Sequence, residues 1–420
     1  MEKAILVGAL QRDQRIEQLD ASLDELALLV ETAGGEAVHR ITQTRAGISG
    51  ATYVGPGKLE EIQDAVQVCQ ADLVVFDDEL TPAQGRNLED ALQVKILDRT
   101  QLILDIFAQR AQTQEGKVQV ELAQLSYLLP RLTGWGTSLS RLGGGIGTRG
   151  PGETKLEVDR RRIRERMAEL RRTLVKIRKR RTVQRARRKK SLLPLVALVG
   201  YTNAGKSTLF NLLTGADVYQ EDRAFATLDP TVRKVDIDNH HPFLLIDTVG
   251  FIQKLPHQLV AAFRATLEEV VEADLLIHVI DASHPQREEQ RLAVIQVLEE
   301  LGAADHPMVT AFNKWDLLEE GERWRLVKGH PDDVFISAQR NEGIDTLLTK
   351  IGEELPEPLV EAAFLIPYQR ADLTAYLHRE GQVLQEEHTP QGTVVRAAVR
   401  RHLAAQLAPF RLEGSPCEDY

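Results

Sequence analysis

Cysteine is nearly absent from this chain of 420 residues: Cys69 and Cys417 are its two. Neither has metal-ligating neighbours, so a disulfide framework and a zinc knuckle are excluded, and the usage suits a reducing cytosol. Long apolar runs are lacking as well. The opening Met1-Glu-Lys-Ala-Ile-Leu-Val-Gly-Ala-Leu10 has no signal-peptide layout, and no stretch approaches membrane-spanning length, which predicts a soluble, cytoplasmic protein. A full phosphate loop is missing from the first 112 residues, where Tyr53-Val-Gly-Pro-Gly-Lys58 has the wrong spacing and reads as a turn opening a helix. His378, His388 and His402 lie too far apart to argue for a metal site.

Length predicts several domains. Residues 1–112 alternate apolar runs with amphipathic segments, the signature of a small α/β domain with a mainly parallel sheet. Residues 113–190 change character. Val118, Leu122, Leu125 and Leu129 repeat at heptad spacing up to Pro130, and Leu156, Ile163, Met167, Leu170, Leu174 and Ile177 repeat the pattern, predicting a long antiparallel helical hairpin. Its second arm is basic. Between Lys155 and Lys190, 18 Lys and Arg face 4 acids, a local +14 in a chain of net charge −10, which suggests a polyanionic partner. The loop between the arms, Gly134–Gly152, holds eight glycines with Trp135, Arg141 and Arg149, a composition suited to phosphate contact and base stacking, hence a candidate RNA-contacting tip. Residues 357–420 read as a small α+β appendage without catalytic residues.

Residues 191–356 carry the chemistry. The apolar run Leu195–Val199 leads into Gly200-Tyr201-Thr202-Asn203-Ala204-Gly205-Lys206-Ser207-Thr208 and then an amphipathic helix: strand, P-loop, helix. Backbone N–H groups there converge on phosphates, Lys206 reaches the outer ones, and the Ser207 hydroxyl is a magnesium ligand. Phe225-Ala226-Thr227 offers a Thr hydroxyl for magnesium and the γ-phosphate, with Thr231 in reserve. Asp247-Thr248-Val249-Gly250 ends an apolar strand with a carboxylate for the magnesium shell and a glycine N–H for the γ-phosphate. Asn313-Lys314-Trp315-Asp316 and Ser337-Ala338 complete a guanine site, with Asn313 and Asp316 on the base, Lys314 along the loop and ring, and the Ala338 N–H on guanine O6. Each motif alone is weak. Four in this order, each after a strand, predict a GTP-binding and GTP-hydrolysing enzyme whose catalytic groups are Lys206, Thr227 and Gly250.

These residues, together with Tyr53–Lys58, Asp98–Phe107, Leu122–Arg131, Gly143–Glu153 and Asp247–Phe251, resemble the HflX GTPases, a family within the Obg-HflX group, over the whole chain. The resemblance implies a ribosome-associated factor that binds the large ribosomal subunit and its rRNA through the hairpin and splits stalled or idle ribosomes under stress, acting as a monomer. It also implies an N-terminal domain for which ATP binding has been proposed, hence a weak ATPase activity. The position that holds a water-orienting Gln in Ras-like enzymes is Phe251, which predicts slow intrinsic hydrolysis accelerated by the ribosome. Asn203 matches an Asn that helps hold K+ beside the phosphates in related GTPases. Two other classes stay open: an RNA-remodelling ATPase regulated by its GTPase domain, and a signalling GTPase whose effector is a protein.

Overall fold

A computed structural model describes residues 1–10, 15–43, 49–132, 155–188, 193–215, 225, 231–236, 242–254, 269–355 and 359–412. Cys417, Trp135, Arg141, Arg149, Ala226 and Thr227 lie outside the described residues.

The first alternation folds as expected. Strand β1 (Lys3–Ala9), helix α1 (Ile16–Thr32), β2 (Glu36–Gln43), α2 (Pro56–Cys69), β3 (Leu73–Phe76), α3 (Pro82–Leu92), β4 (Lys95–Asp98) and α4 (Arg99–Arg110) form a parallel sheet in the order β2-β1-β3-β4 with its crossover helices. Local chemistry sets the helix starts. Thr81 and Gln84 make a reciprocal capping box on α3, and the Asp98 carboxylate accepts from the Gln101 N–H at 2.9 Å to cap α4. The Tyr53–Lys58 stretch is a turn, with Tyr53 at φ +64° and Pro56 opening α2.

Helices α5 (Gln114–Arg131) and α6 (Lys155–Arg188) lie against each other, joined by Arg166, whose Nε and Nη2 meet the Glu121 carboxylate at 2.7 and 3.0 Å. The predicted seam residues Val118, Leu122, Leu125 and Leu129 are only half-buried. The fully buried face of α5 is instead Val120, Ala123 and Tyr127, which joins the apolar cluster of α1 and α4. Two helices alone leave the flanks of their seam in water, whereas the other face of α5 has a whole domain to pack on. Pro130 sits inside the last turn, and the helix ends one residue later, at Arg131.

The second sheet comprises β5 (Leu195–Gly200), β6 (Thr231–Val235), β7 (Phe243–Asp247), β8 (Leu275–Asp281), β9 (Met308–Asn313) and β10 (Val334–Phe335), in the order β10-β9-β8-β5-β7-β6. Only β6 runs antiparallel, on the edge beside β7. Helices α7 (Lys206–Thr214), α8 (Arg287–Leu301), α9 (Glu320–Gly329) and α10 (Ile344–Glu354) accompany it. Continuous apolar runs such as Val196–Val199 and Leu275–Val279, apart from His278, suit strands covered on both faces. A third sheet, antiparallel in the order β11-β13-β12, is built from β11 (Leu359–Ile366), β12 (Gln382–Thr389) and β13 (Gly392–Arg400), with α11 (Ala371–Glu380) and α12 (Arg401–Gln406). One apolar cluster runs from the first sheet into the second: Leu102, Ile106 and Phe107 share it with Tyr201, Phe225 and Phe251.

Candidate nucleotide site

The phosphate loop leaves β5 between β7 and β8, at the carboxyl end of the parallel strands, where α/β folds place ligands. Glycine is required twice. A Cβ on Gly200 (φ +153°) would lie 2.2 Å from the Val279 carbonyl oxygen, and one on Gly205 (φ +92°) 2.2 Å from Asn313 Nδ2. Asn203 adopts the left-handed region at φ +59°, which asparagine tolerates. Lys206 opens α7 and is 6 % exposed. Its Nζ donates to the carbonyl oxygens of Gly200 at 3.0 Å and Tyr201 at 2.8 Å, the curl that aims the ammonium back over the loop. Burial, opposed only partly by the Asp247 charge, pulls its pKa down to about 8.

Ser207 Oγ donates to Asp247 Oδ2 at 2.9 Å, and Asp247 is fully buried at the end of β7. A hydroxyl and a carboxylate at this spacing are hard oxygen donors of the kind magnesium takes, a few at a time, alongside substrate phosphates. No cluster of three His, Cys, Asp or Glu side chains exists among the described residues, so the donor set is that of a shared metal–phosphate site and not of a dedicated metal cage. Thr248 Oγ1 donates to the Leu198 carbonyl at 2.5 Å and pins the strand end, while Val249 is buried. Gly250 lies against the loop: a Cβ there would fall 3.0 Å from Thr202 Cα and 3.1 Å from Lys206 Nζ.

The guanine motifs converge from β9 and β10. Asn313 is the tie between them: Nδ2 donates to the Ala204 carbonyl at 2.9 Å and Oδ1 accepts from the Ala338 N–H at 3.0 Å. This changes two sequence expectations. Asn313 faces protein on both ends of its amide, and the Ala338 N–H expected on guanine O6 already points to Asn313, so sharing it with a base requires a forked hydrogen bond. Asp316 pairs with Arg340 Nε at 3.2 Å. Lys314, at φ +60°, pairs with Asp281 Oδ2 at 2.7 Å at the end of β8. Ser337 is fully buried and exchanges backbone hydrogen bonds with Glu342.

Two side chains of the nucleotide-contacting segments turn toward the N-terminal domain. The Phe225 ring is 2 % exposed and packs edge-on against Phe107 of α4, centroids 4.6 Å apart, because an apolar ring gains more from that core than from a polar ligand. The Tyr201 side chain leaves the nucleotide side and donates its hydroxyl to Glu25 of α1. Thr231 stands at the start of edge strand β6. Sequence reasoning missed Arg340, Asp281 and His278. The last is buried in the centre of β8, where burial, with the charges of Arg291 and Lys206, drives its pKa down to about 3.

His378 meets Glu386 at 2.9 Å and His388 meets Thr393 at 3.2 Å, both local surface contacts. No described helix is long and apolar enough to cross a membrane.

Three families of known proteins match successive stretches of the chain. A family described as GTP-binding GTPase N-terminal matches residues 20–108, one described as GTP-binding GTPase Middle Region matches 110–188, and one described as 50S ribosome-binding GTPase matches 195–314. The chain is 52 % identical over 409 residues to the GTPase HflX of Caldanaerobacter subterraneus subsp. tengcongensis, covering 97 % of this chain and 94 % of that one. Identity is 48 % to the GTPase HflX of Lacrimispora saccharolytica, with 97 % and 96 % covered. Against the GTPase HflX of Escherichia coli it is 46 %, with 94 % and 92 % covered.

Proposed function

The chain belongs to the HflX family of GTPases, and on that footing we propose that it is a large-subunit-binding factor that uses GTP to dissociate stalled or idle ribosomes. The observation that carries the reading is the joining of a phosphate-loop site to a basic arm: α6, whose 16 Lys and Arg against 4 acids give it a charge of +12, rests on α5, and α5 buries Tyr127 in the same apolar cluster that holds Tyr201 and Phe251. A change at the phosphates can therefore reach the arm through packed side chains, and the arm has the charge to meet rRNA.

GTP hydrolysis needs positioning and charge stabilisation more than covalent chemistry from the protein. In this reading the Lys206 ammonium meets the outer phosphates, the Gly250 N–H meets the γ-phosphate, and Thr227 adds a hydroxyl. Ser207 and Asp247, with Thr227, would hold magnesium, which would supply positive charge to offset that of the phosphates. Asp316 accepts from the guanine N1–H and 2-amino group, and Asn313 holds the phosphate loop and the Ala338 loop at fixed separation. Phe251 is 3 % exposed and offers no hydrogen bond to water from its side chain, which supports slow turnover until the ribosome orders the segments around the γ-phosphate. Asn203, with its left-handed backbone, is suited to helping hold K+ beside the phosphates.

Sedimentation of purified ribosomes with the protein under GTP, GDP or a non-hydrolysable GTP analogue tests the reading. Whole ribosomes should convert to subunits only with a triphosphate, and removing residues 134–152 should abolish the conversion. Unchanged profiles with GTP, or splitting by the truncated chain, would refute it.

A further inference from the structure

Tyr201 is the second residue of the phosphate loop, yet its side chain is committed to the N-terminal domain. Its hydroxyl donates to Glu25 Oε1 and accepts from the Gln253 N–H at 2.7 Å. Glu25 Oε2 pairs with Arg99 Nη1 at 2.9 Å, Arg99 Nη2 with Asp77 Oδ1 at 2.6 Å, and Asp77 Oδ2 with Lys254 Nζ, which also reaches Asp78 at 2.6 Å. The chain of contacts closes on itself, because Lys254 follows Gln253. Arg99 and Asp77 are each 1 % exposed, so the N-terminal half of the ring is rigid and desolvated.

The ring fixes the segment just after Gly250. Phe251 N–H donates to the Gly200 carbonyl at 3.1 Å and the Thr202 N–H donates to the Phe251 carbonyl at 2.7 Å, so this segment is zipped onto the phosphate loop. Lys254 is held at φ +55°, a left-handed conformation disfavoured for a non-glycine residue, which persists where surrounding contacts enforce it. With Gly250 against Thr202 and Lys206 Nζ engaged by loop carbonyls, a third phosphate has to displace both groups. A diphosphate has no γ-phosphate to place there.

We propose that Tyr201 and Lys254 are positioning residues that set the preference between GDP and GTP: through them the Glu25–Arg99–Asp77 cluster holds residues 250–254 down on the phosphate loop, and the γ-phosphate competes with that tether. The N-terminal domain thereby reads the nucleotide state at the third phosphate. The proposal rests on the nucleotide site described above, and GDP binding is the control that separates the two.

The test uses the full chain and measures Kd for GDP and for a non-hydrolysable GTP analogue in the variants Tyr201→Phe, Lys254→Met, Glu25→Ala and Glu25→Gln. Tyr201→Phe, Lys254→Met and Glu25→Ala should each tighten the analogue about tenfold while GDP stays within about twofold, the scale of one charge-assisted hydrogen bond released from competition. Glu25→Gln keeps an acceptor for the tyrosine and should shift the ratio less than Glu25→Ala. Combining Tyr201→Phe with Glu25→Ala should add little beyond either alone, since both remove the same contact. In turnover by Lys254→Met and Glu25→Ala, the effect should fall on KM for GTP more than on kcat. Retained GDP binding with an unchanged ratio of the two affinities would overturn the proposal. Equal weakening of both nucleotides would do so as well, since it marks a structural role for the loop. Loss of GDP binding in every variant, including the peripheral Lys254→Met, would count against the nucleotide site itself.

Discussion

A lysine whose ordinary pKa is 10.5 and whose buried value is about 8 makes nucleotide binding a proton-linked event. Below pH 8 the free protein holds Lys206 charged, ready for phosphate. Above it the ammonium is lost from the empty site, and phosphates must recharge it, so binding takes up a proton and affinity falls. The same shift gives the nucleotide-free fold a contribution that is present above the unfolded value and diminishes as pH drops from about 10.5 to 8, because the unfolded chain binds the proton first. Calorimetric titration of GDP at pH 8.5 in two buffers of different ionisation enthalpy should report uptake approaching one proton per nucleotide, against nearly none at pH 7. Equal heats after buffer correction at both values would contradict it. The residues that supply this site were legible because a phosphate cradle has a short, fixed spacing: two glycines at positive φ and one lysine fall within seven consecutive positions, Gly200 to Lys206. Asn313 was legible as a guanine-site residue, but its tie to Ala204 and Ala338 and the pairing of Arg340 with Asp316 were not, since each partner lies on another loop and depends on how the strands pair. Where the rings of Phe225 and Tyr201 go was not legible for the same reason, as they answer to a domain encoded a hundred residues earlier.

At the scale of elements, periodicity told which segments were helical but not which face would be buried most. Helix α5 carries an apolar stripe that predicts a two-helix seam, and its deepest burial falls on another stripe, where Tyr127 reaches the first sheet. The Tyr127 hydroxyl donates to Asp98 Oδ2 at 2.6 Å, and the same carboxylate accepts from the Leu80 N–H at 3.0 Å while its other oxygen caps α4. Arg131, one turn on, stacks its guanidinium over the Tyr127 ring at 3.3 Å and approaches Asp98 at 3.3 Å. Burial, with the Asp98 charge and hydrogen bond, holds the phenol far above its usual titration range, so it stays a neutral donor at any pH the fold survives. Tyr127→Phe keeps the ring and removes one donor to a buried charge, and should cost about 1.5–3 kcal/mol. Urea unfolding of the full chain should show this as a lower midpoint with unchanged slope. A loss below about 0.5 kcal/mol would mean the carboxylate is adequately held without it.

At the scale of the molecule, the N-terminal sheet and the nucleotide-binding sheet are coupled, among the described residues, by an apolar contact zone and a polar ring, and these differ in kind. The polar ring is local to the segment after Gly250, whereas the Phe107–Phe225 pair ties a residue between α7 and β6 to α4. Phe225 sits at φ +57°, so the backbone bears strain that the ring's burial offsets. Burying a phenylalanine contributes about 1.5–3 kcal/mol, and an edge-on aromatic pair a further 0.5–1.5 kcal/mol or so. Phe225→Ala removes most of this from the boundary while leaving each sheet its own core, so the loss should appear as uncoupling more than as general destabilisation. Scanning calorimetry with GDP is the discriminating measurement, because nucleotide stabilises only the sheet that binds it. In the parent chain the two sheets should melt together and both rise with GDP. In Phe225→Ala the transition should split, with only the upper component following GDP concentration. A single transition that merely moves to lower temperature would show that the polar ring alone suffices to make the two sheets one cooperative unit.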